Sequence, residues 1–281
     1  MKKAGLLGHP LGHTLSLALH EKLCRFMEEP IEYKKLDIPL EELEQSMPSL
    51  KALDGFNVTI PHKLNIKSYL DELDESAVKH GAVNVVAKRN GRHVGYNTDC
   101  IGFVRCVEGA GIEIKGKVCV VGLGGAGRMF ATECAHRGCQ LTLAVRSQHV
   151  EEFQAGTHRD LMELQKKLSV LSGQEVAVVS SETLSGDFDL LINGSPVGMF
   201  PKVDAMPVPE SALKGVKAVF DCIYNPRETR LLKAAKEAGC RVSGGMPMLV
   251  WQAAAAQEIW YGKKFTQEQV EQVLREMEEV L

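Results

Sequence analysis

The sequence predicts an α/β protein of two domains, one of them built on a doubly wound parallel sheet. Three observations carry that expectation. From Gly116 to the Gly244-Gly245 pair, short apolar runs alternate with helical segments. That pattern implies parallel strands with helices on both faces. One run, "KVCVVG", flows into Gly122-x-Gly124-x-x-Gly127 and then into an amphipathic helix, the strand–turn–helix context of a Rossmann-type dinucleotide fingerprint. The 281 residues also exceed one ordinary hydrophobic core.

The elements follow in order. "KKAGLLG" reads as a strand. "LSLALHEKLCRFMEE" reads as an amphipathic helix stopped by Pro30. "IEYKKLD" is a second strand, "LEELEQSM" a short helix and "GFNVTI" a third strand. In the third strand, Val58 and Ile60 are expected in the core, with Asn57 and Thr59 on the opposite face. Pro61, which lacks an N–H, ends the pairing. "AVNVVAKRNGRHVGYN" is two alternating segments around Asn90-Gly91, a two-residue hairpin signal. The next block supplies "GKVCVVG", "QLTLAVR", "EVAVV", "FDLLING" and "AVFDCIY". After Gly245 the chain is helical throughout. Its last helix, Glu268 to Glu279, places Val270, Leu274, Met277 and Leu281 on one face. These final helices could cover the second sheet or return to the first domain.

Composition narrows the function. Apolar residues are 44%, charged residues 25% and the net charge −3, with no basic stripe; nucleic acid is not an expected partner. No run approaches the roughly 18 apolar residues that span a bilayer. "MKKAGLLGHP" is too short for a signal sequence, so a cytoplasmic protein is expected. The eight cysteines form no C-x-x-C pair and read as reduced, buried thiols. The nine histidines show no metal-ligand spacing. His13 and His20 could share a helix face, but no carboxylate joins them, and no metal is expected.

The glycine loop carries a specific chemistry. Gly122 permits the tight turn, Gly124 lets the backbone approach a pyrophosphate, and Gly127 allows close helix–strand packing. The helix N-terminus then offers free N–H groups to phosphate. About 20 residues on, where an NAD site places Asp or Glu, stands Arg146-Ser147. An arginine suits a 2′-phosphate, so NADP is the expected cofactor and NAD the alternative.

Four polar clusters stand in the first hundred residues. Thr14 and Ser16 lie where a helix begins, as caps or as a carboxylate site. "FNVTIPHK" offers Asn57, Thr59 and Lys63. "GAVN" places Asn84 within an apolar strand. "GYNTDC" offers Asn97, Thr98 and Asp99, the last also suited to capping a helix. A ketone–alcohol redox enzyme needs a proton donor beside the carbonyl oxygen, and a lysine held by a carboxylate can serve. Lys63 with Asp99 would be that pair.

These residues resemble the shikimate/quinate dehydrogenase family. "NVTIPHK", "GAVN", "NTD", "GLGGAGR", "NGSPVGM", "DCIYNPRETRLL" and "GMPMLVWQ" occur in family order and spacing over nearly the whole chain. The resemblance implies a discontinuous substrate domain, 1–99 with 245–281, around an NADP domain at 100–244, with the site in the cleft between. It implies reversible NADPH-dependent reduction of 3-dehydroshikimate to shikimate, with Lys63 catalytic and Asp99 its partner. Thr14 and Ser16 fall where the substrate carboxylate is held. Thr59, Asn84, Asp99 and Gln252 fall where ring hydroxyls are held, and Tyr224 lines the same site. Cofactor contacts are implied along Gly122, Gly124, Gly125, Ala126 and Gly127, at Arg146 and Ser147, and at Asn193, Ser195, Met199 and Gly245. A monomer or homodimer acting on a small molecule is expected.

Three stretches depart from the pattern. Thr14-Leu15-Ser16 replaces Ser-x-Ser, with Leu17 where proline is common. Pro247 replaces a glycine, and Val145 replaces the asparagine before Arg146. The extra methyl of Thr14 keeps quinate, or both acids, open as substrate, an effect of about 1–3 kcal/mol. A sensor that binds such acids without catalysis is the reading from another class, and the intact Lys–Asp pair and glycine loop speak against it.

Overall fold

The computed structural model describes residues 1–12 and 14–279. The chain divides into two compact units, one comprising Met1–Gly102 with Leu249–Val280, the other Phe103–Met248.

The first unit opens with β1 (Lys2–Gly8), α1 (Ser16–Cys24), β2 (Ile31–Asp37) and α2 (Leu43–Lys51). It continues with β3 (Gly55–Val58), β4 (Glu72–Leu73), α3 (Glu75–His80), β5 (Val85–Arg89) and β6 (Arg92–Tyr96), and α4 (Thr98–Gly109) leads out of it. The six strands form one sheet in the order β2-β1-β3-β5-β6-β4. β1 runs parallel to β2 and β3, while β3–β5 and β5–β6 are antiparallel. The hairpin turn falls on Asn90 (φ 50°) and Gly91 (φ 80°), the left-handed pair a tight hairpin requires.

Two apolar layers sandwich this sheet. On one face Leu7, Phe56, Val58 and Val86 pack with Leu43, Met47 and Leu50 of α2. On the other, Ala4, Val85 and Ala87 pack with Ala256 and Trp260 of α9 (Gly245–Tyr261). Trp260 Nε1 donates to Val86 O at 3.0 Å. Gly55 leaves room for that indole, because a Cβ there would lie 2.6 Å from Trp260 Cδ1. The C-terminal helices therefore complete the first unit. α10 (Gln267–Glu278) is tied to α1 by Glu276, which accepts from Lys22 at 3.0 Å and Arg25 at 2.8 Å.

Three expectations need correction. β3 stops at Val58, and Ile60 is 74% exposed rather than in the core: the chain leaves the sheet before the cis Ile60-Pro61 bond. The buried face of α10 is Val270, Val273 and Met277, with Leu274 only half-buried. α2 continues through Pro48 instead of ending before it. His13 and Leu281 lie outside the described residues.

The second unit holds β7 (Lys117–Val121), α5 (Gly125–His136), β8 (Gln140–Val145), α6 (Ser147–Gln154), α7 (Arg159–Ser172), β9 (Ala177–Ser180), β10 (Leu190–Asn193), β11 (Ala218–Asp221), α8 (Arg230–Glu237) and β12 (Arg241–Ser243). All its strand pairs are parallel, in the order β12-β11-β10-β7-β8-β9. Chain order reverses between β7 and β10. That is the switch point at which doubly wound sheets bind dinucleotides. One face is covered by a core that includes Leu191, Val219, Leu231 and Leu232. The packed rings of Phe103, Phe130 and Phe220 form a second cluster.

Candidate active site

Lys63 is fixed by its own turn. After β3 the Thr59 N–H donates to Leu7 O at 2.8 Å, and His62 N–H donates to Thr59 O at 2.9 Å. The His62 ring is fully buried, its Nε2 2.6 Å from Ile38 O. Val83 N–H donates to Lys63 O at 2.9 Å. These bonds anchor both sides of the lysine and leave its side chain about one-third exposed (33%). Sequence reasoning missed His62, whose motif position alone gives it no job of its own.

Asp99 comes from the first turn of α4. It does not cap the helix: Asn97 does, its Oδ1 accepting the N–H groups of Asp99 at 3.1 Å and Cys100 at 3.3 Å. The Asp99 carboxylate is left to accept Lys63 Nζ at 2.6 Å on Oδ2 and Asn84 Nδ2 at 2.8 Å on Oδ1. Asn84 is only 3% exposed. Its own Oδ1 accepts the Thr98 N–H at 2.6 Å, so its amide cannot turn over without losing that bond. Lys63, Asp99 and Asn84 thus form one ordered chain of donors and acceptors within the first unit. An ammonium in this setting is oriented by its carboxylate and partly open to solvent, the arrangement a proton donor requires.

The other substrate-site candidates of this unit are placed as follows. Thr14 Oγ1 donates to Ser16 Oγ at 3.1 Å and accepts the Ser16 N–H at 3.2 Å. Neither hydroxyl caps α1, whose N-cap position is Leu15. Thr59 is half-buried beside the lysine turn. Gln252 Nε2 donates to Leu249 O on its own helix at 2.9 Å. Asn57 is structural: it is buried and its Oδ1 accepts from Tyr33 OH at 2.7 Å. Tyr33 stacks on His20, which burial pushes down to about 3. His20 is therefore a neutral core side chain.

In the second unit the glycine loop has the geometry its sequence suggested. Gly122 adopts φ 78°, and a Cβ there would lie 2.6 Å from Ser195 Cβ across the switch point. A Cβ on Gly127 would collide with the Gly122 carbonyl oxygen. Gly124 and Gly125 face open space, with nothing within 4 Å of a Cβ on either. No side chain caps α5. Its first N–H groups therefore remain available to an anion. The residues present fit a dinucleotide pyrophosphate.

Beyond β10, Asn193 Oδ1 accepts the Ser195 N–H at 3.0 Å and the Ser195 hydroxyl at 2.7 Å. Asn193 Nδ2 donates to Asp221 Oδ1 at 3.0 Å. Asp221 is completely buried and also accepts from Thr229 Oγ1 at 2.6 Å and Ile223 N–H at 3.1 Å. Burial pushes its carboxyl up to about 6 despite those three donors. Sequence reasoning passed over Asp221, because an aspartate ending an apolar strand carries no signal of its own. Met199 and Tyr224 lie on the surface of this unit (45% and 37% exposed). Gly245 donates its N–H to Ile223 O at 3.0 Å, and a Cβ there would strike the Cys222 carbonyl. Arg146 is exposed, and Ser147 lies 2.7 Å from Ser180 Oγ.

His149, Glu152 and His158 gather close enough to share a cation. His158 Nδ1, however, accepts the Leu161 N–H at 3.3 Å as the cap of α7. That bond occupies the Nδ1 lone pair a metal would need. Within the cluster His149 Nδ1 lies 3.2 Å from Glu152 Oε2, both on α6, and His158 Nε2 lies 4.0 Å from the same oxygen.

The family model described as the shikimate dehydrogenase substrate binding domain matches residues 6–86. The NADP(+) shikimate dehydrogenase of Methanococcus maripaludis strain C6 is 38% identical over 94% of this chain and 92% of its own length. The chain belongs to the shikimate dehydrogenase family. Two crystal structures of shikimate dehydrogenases extend the likeness to the fold. One, in complex with NADP+, superposes with a TM-score of 0.85 at 33% identity, covering 99% of this chain and 96% of the other. The enzyme of Thermus thermophilus, in complex with NADP(H) and shikimate, gives 0.81 at 31% identity, with 98% and 99% covered. As a shikimate dehydrogenase family member, the chain combines the family's α/β architecture with an ordered Lys63–Asp99–Asn84 chain.

Proposed function

We propose that this protein catalyses the reversible NADPH-dependent reduction of 3-dehydroshikimate to shikimate. The carrying observation is the Lys63–Asp99 bond at 2.6 Å, with Asn84 holding the second carboxylate oxygen. Bound NADPH supplies the hydride that reaches the ketone carbon. Lys63 Nζ gives its proton to the oxygen that becomes the hydroxyl, and in oxidation it takes that proton back. Asp99 holds the ammonium in line and balances its charge. Asn84 fixes the carboxylate so that one oxygen always faces Lys63.

The first unit would bind substrate. Thr14 and Ser16 would hold its carboxylate, and Thr59, Asn84, Asp99 and Gln252 its ring hydroxyls; Tyr224 is a further proposed substrate contact. The second unit would bind the cofactor. Gly122, Gly124, Gly125, Ala126 and Gly127 would hold the pyrophosphate. Arg146 would hold the 2′-phosphate with Ser147 beside it, and Asn193, Ser195, Met199 and Gly245 would flank the nicotinamide. Eight free thiols suit a reducing compartment, and no helix among the described residues is long and apolar enough to cross a membrane. On the thiols we place the enzyme in the cytoplasm, and we propose that it acts as a monomer or homodimer.

Quinate oxidation is the second reading, favoured by the Thr14 methyl beside Ser16. Initial rates with shikimate and quinate, each with NADP and NAD, test both. Fastest turnover with shikimate and NADP is the expected result. Turnover confined to quinate or to NAD would overturn the main reading.

A further inference from the structure

We propose that Glu182 limits this chain's preference for a dinucleotide carrying a 2′-phosphate over one carrying a free 2′-hydroxyl. The inference rests on the cofactor reading above. In a doubly wound sheet the adenosine ribose lies at the end of the strand that follows the glycine-loop helix, which here is β8. β8 and β9 end side by side: Val145 pairs with Ser180, and the Ser181 N–H donates to Val145 O at 2.7 Å. The two loops that follow therefore share one corner of the unit.

That corner holds groups of opposite sign. Arg146 is exposed and its guanidinium has no partner among the described residues. Ser147 donates its hydroxyl proton to Glu182 Oε2 and lies 2.7 Å from Ser180 Oγ. Glu182 is held there by its own N–H, which donates to Ser180 Oγ at 3.1 Å. The carboxylate is thus seated against the first residue of α6 and is not neutralised by the neighbouring arginine.

The consequences for the two cofactors differ. A ribose 2′-hydroxyl can donate to a carboxylate. A 2′-phosphate carries close to two negative charges at neutral pH and is repelled by one. Ser147 has a single hydroxyl proton, and while Glu182 holds it none is left for a phosphate oxygen. Arg146 pulls toward the phosphate and Glu182 pulls toward the hydroxyl. The sequence hid this because Glu182 follows the third strand of the unit rather than the second, where a carboxylate is ordinarily sought.

The test is calorimetric titration of adenosine 2′,5′-bisphosphate and 5′-AMP into the wild-type protein, Glu182→Gln and Glu182→Lys at one ionic strength. Both substitutions fall on an exposed side chain, so folding is preserved. Glu182→Gln should tighten the bisphosphate relative to 5′-AMP by roughly three- to tenfold, and Glu182→Lys by more, in the same direction. The ratio of kcat/KM for NADPH over NADH should rise in parallel. If wild type binds both nucleotides and the ratio stays within about twofold in both variants, the Glu182 assignment is overturned and the cofactor reading stands. If wild type binds neither nucleotide, both fall together.

Discussion

Asp99 receives Lys63 Nζ on one oxygen at 2.6 Å and Asn84 Nδ2 on the other at 2.8 Å. Both acceptor positions of the carboxylate are occupied, so its orientation is set by two partners from different elements. Asp99→Asn keeps the shape but leaves only one acceptor for two donors, and it removes the charge that steadies the ammonium. We expect kcat to fall by roughly 10²- to 10³-fold with a smaller change in KM, the pattern of an interaction realised mainly in the transition state. Steady-state kinetics in both directions checks it; an equal loss shared between kcat and KM would count against the role.

Asn84 couples site and stability. Replacing it with Ala strips the buried Thr98 N–H of its 2.6 Å acceptor. An unsatisfied buried donor costs about 1–3 kcal/mol. Urea melts should show that loss, alongside a lowered kcat from the freed Asp99 carboxylate. Unchanged stability would mean that another group satisfies Thr98.

The glycines of the loop should separate into two classes. Gly127→Ala drives a methyl into the Gly122 carbonyl and should destabilise by about 1–3 kcal/mol. Gly124→Ala meets nothing within 4 Å. Its melting temperature should stay near wild type, while NADPH affinity falls by about tenfold or more because the methyl occupies the approach of the pyrophosphate. Thermal melts with and without NADPH distinguish the two. Loss of fold in Gly124→Ala contradicts the assignment.

Asp221 predicts a pH signature. Burial raises its folded-state carboxyl to about 6, above its value in the unfolded chain. Between those values the folded state binds more protons. Stability from this group is therefore complete below the unfolded pKa and is lost as pH rises through about 6. Asp221→Asn cannot titrate. The wild-type stability minus that of Asp221→Asn should decline from roughly pH 4 to pH 6.5 and then level off. A difference that grows over that window rejects the assignment.

Thr14 should tune the acid. Thr14→Ser removes one methyl beside Ser16 and should shift the shikimate-to-quinate ratio of kcat/KM by about tenfold, toward shikimate. Rates with both acids measure it, and an unchanged ratio removes Thr14 from specificity.

What the sequence made legible were features whose cause is local. The glycine fingerprint, the Asn90-Gly91 turn and the alternating strands each follow from backbone sterics or period-2 burial. Lys63, Asp99 and Asn84 stand out by residue type and by their company. What stayed hidden depends on contacts between distant segments. β4 and β12 span two and three residues, too short for any periodicity to show. Ile60 looks like core because it is apolar and in phase, yet the chain has already left the sheet there. His62 anchors the lysine turn through Ile38, and Glu182 reaches Ser147 across 35 residues of chain. Neither pairing leaves a trace in spacing.

Lys63 as the proton donor of an NADP-dependent shikimate dehydrogenase is open to direct test. The most direct measurement is kcat for shikimate oxidation by NADP in wild type and Lys63→Ala, after melts confirm that both are folded. Wild type should turn over briskly and Lys63→Ala should lose roughly 10²- to 10⁴-fold, with KM for shikimate changed far less. A folded Lys63→Ala protein that turns over shikimate at the wild-type rate would contradict that role.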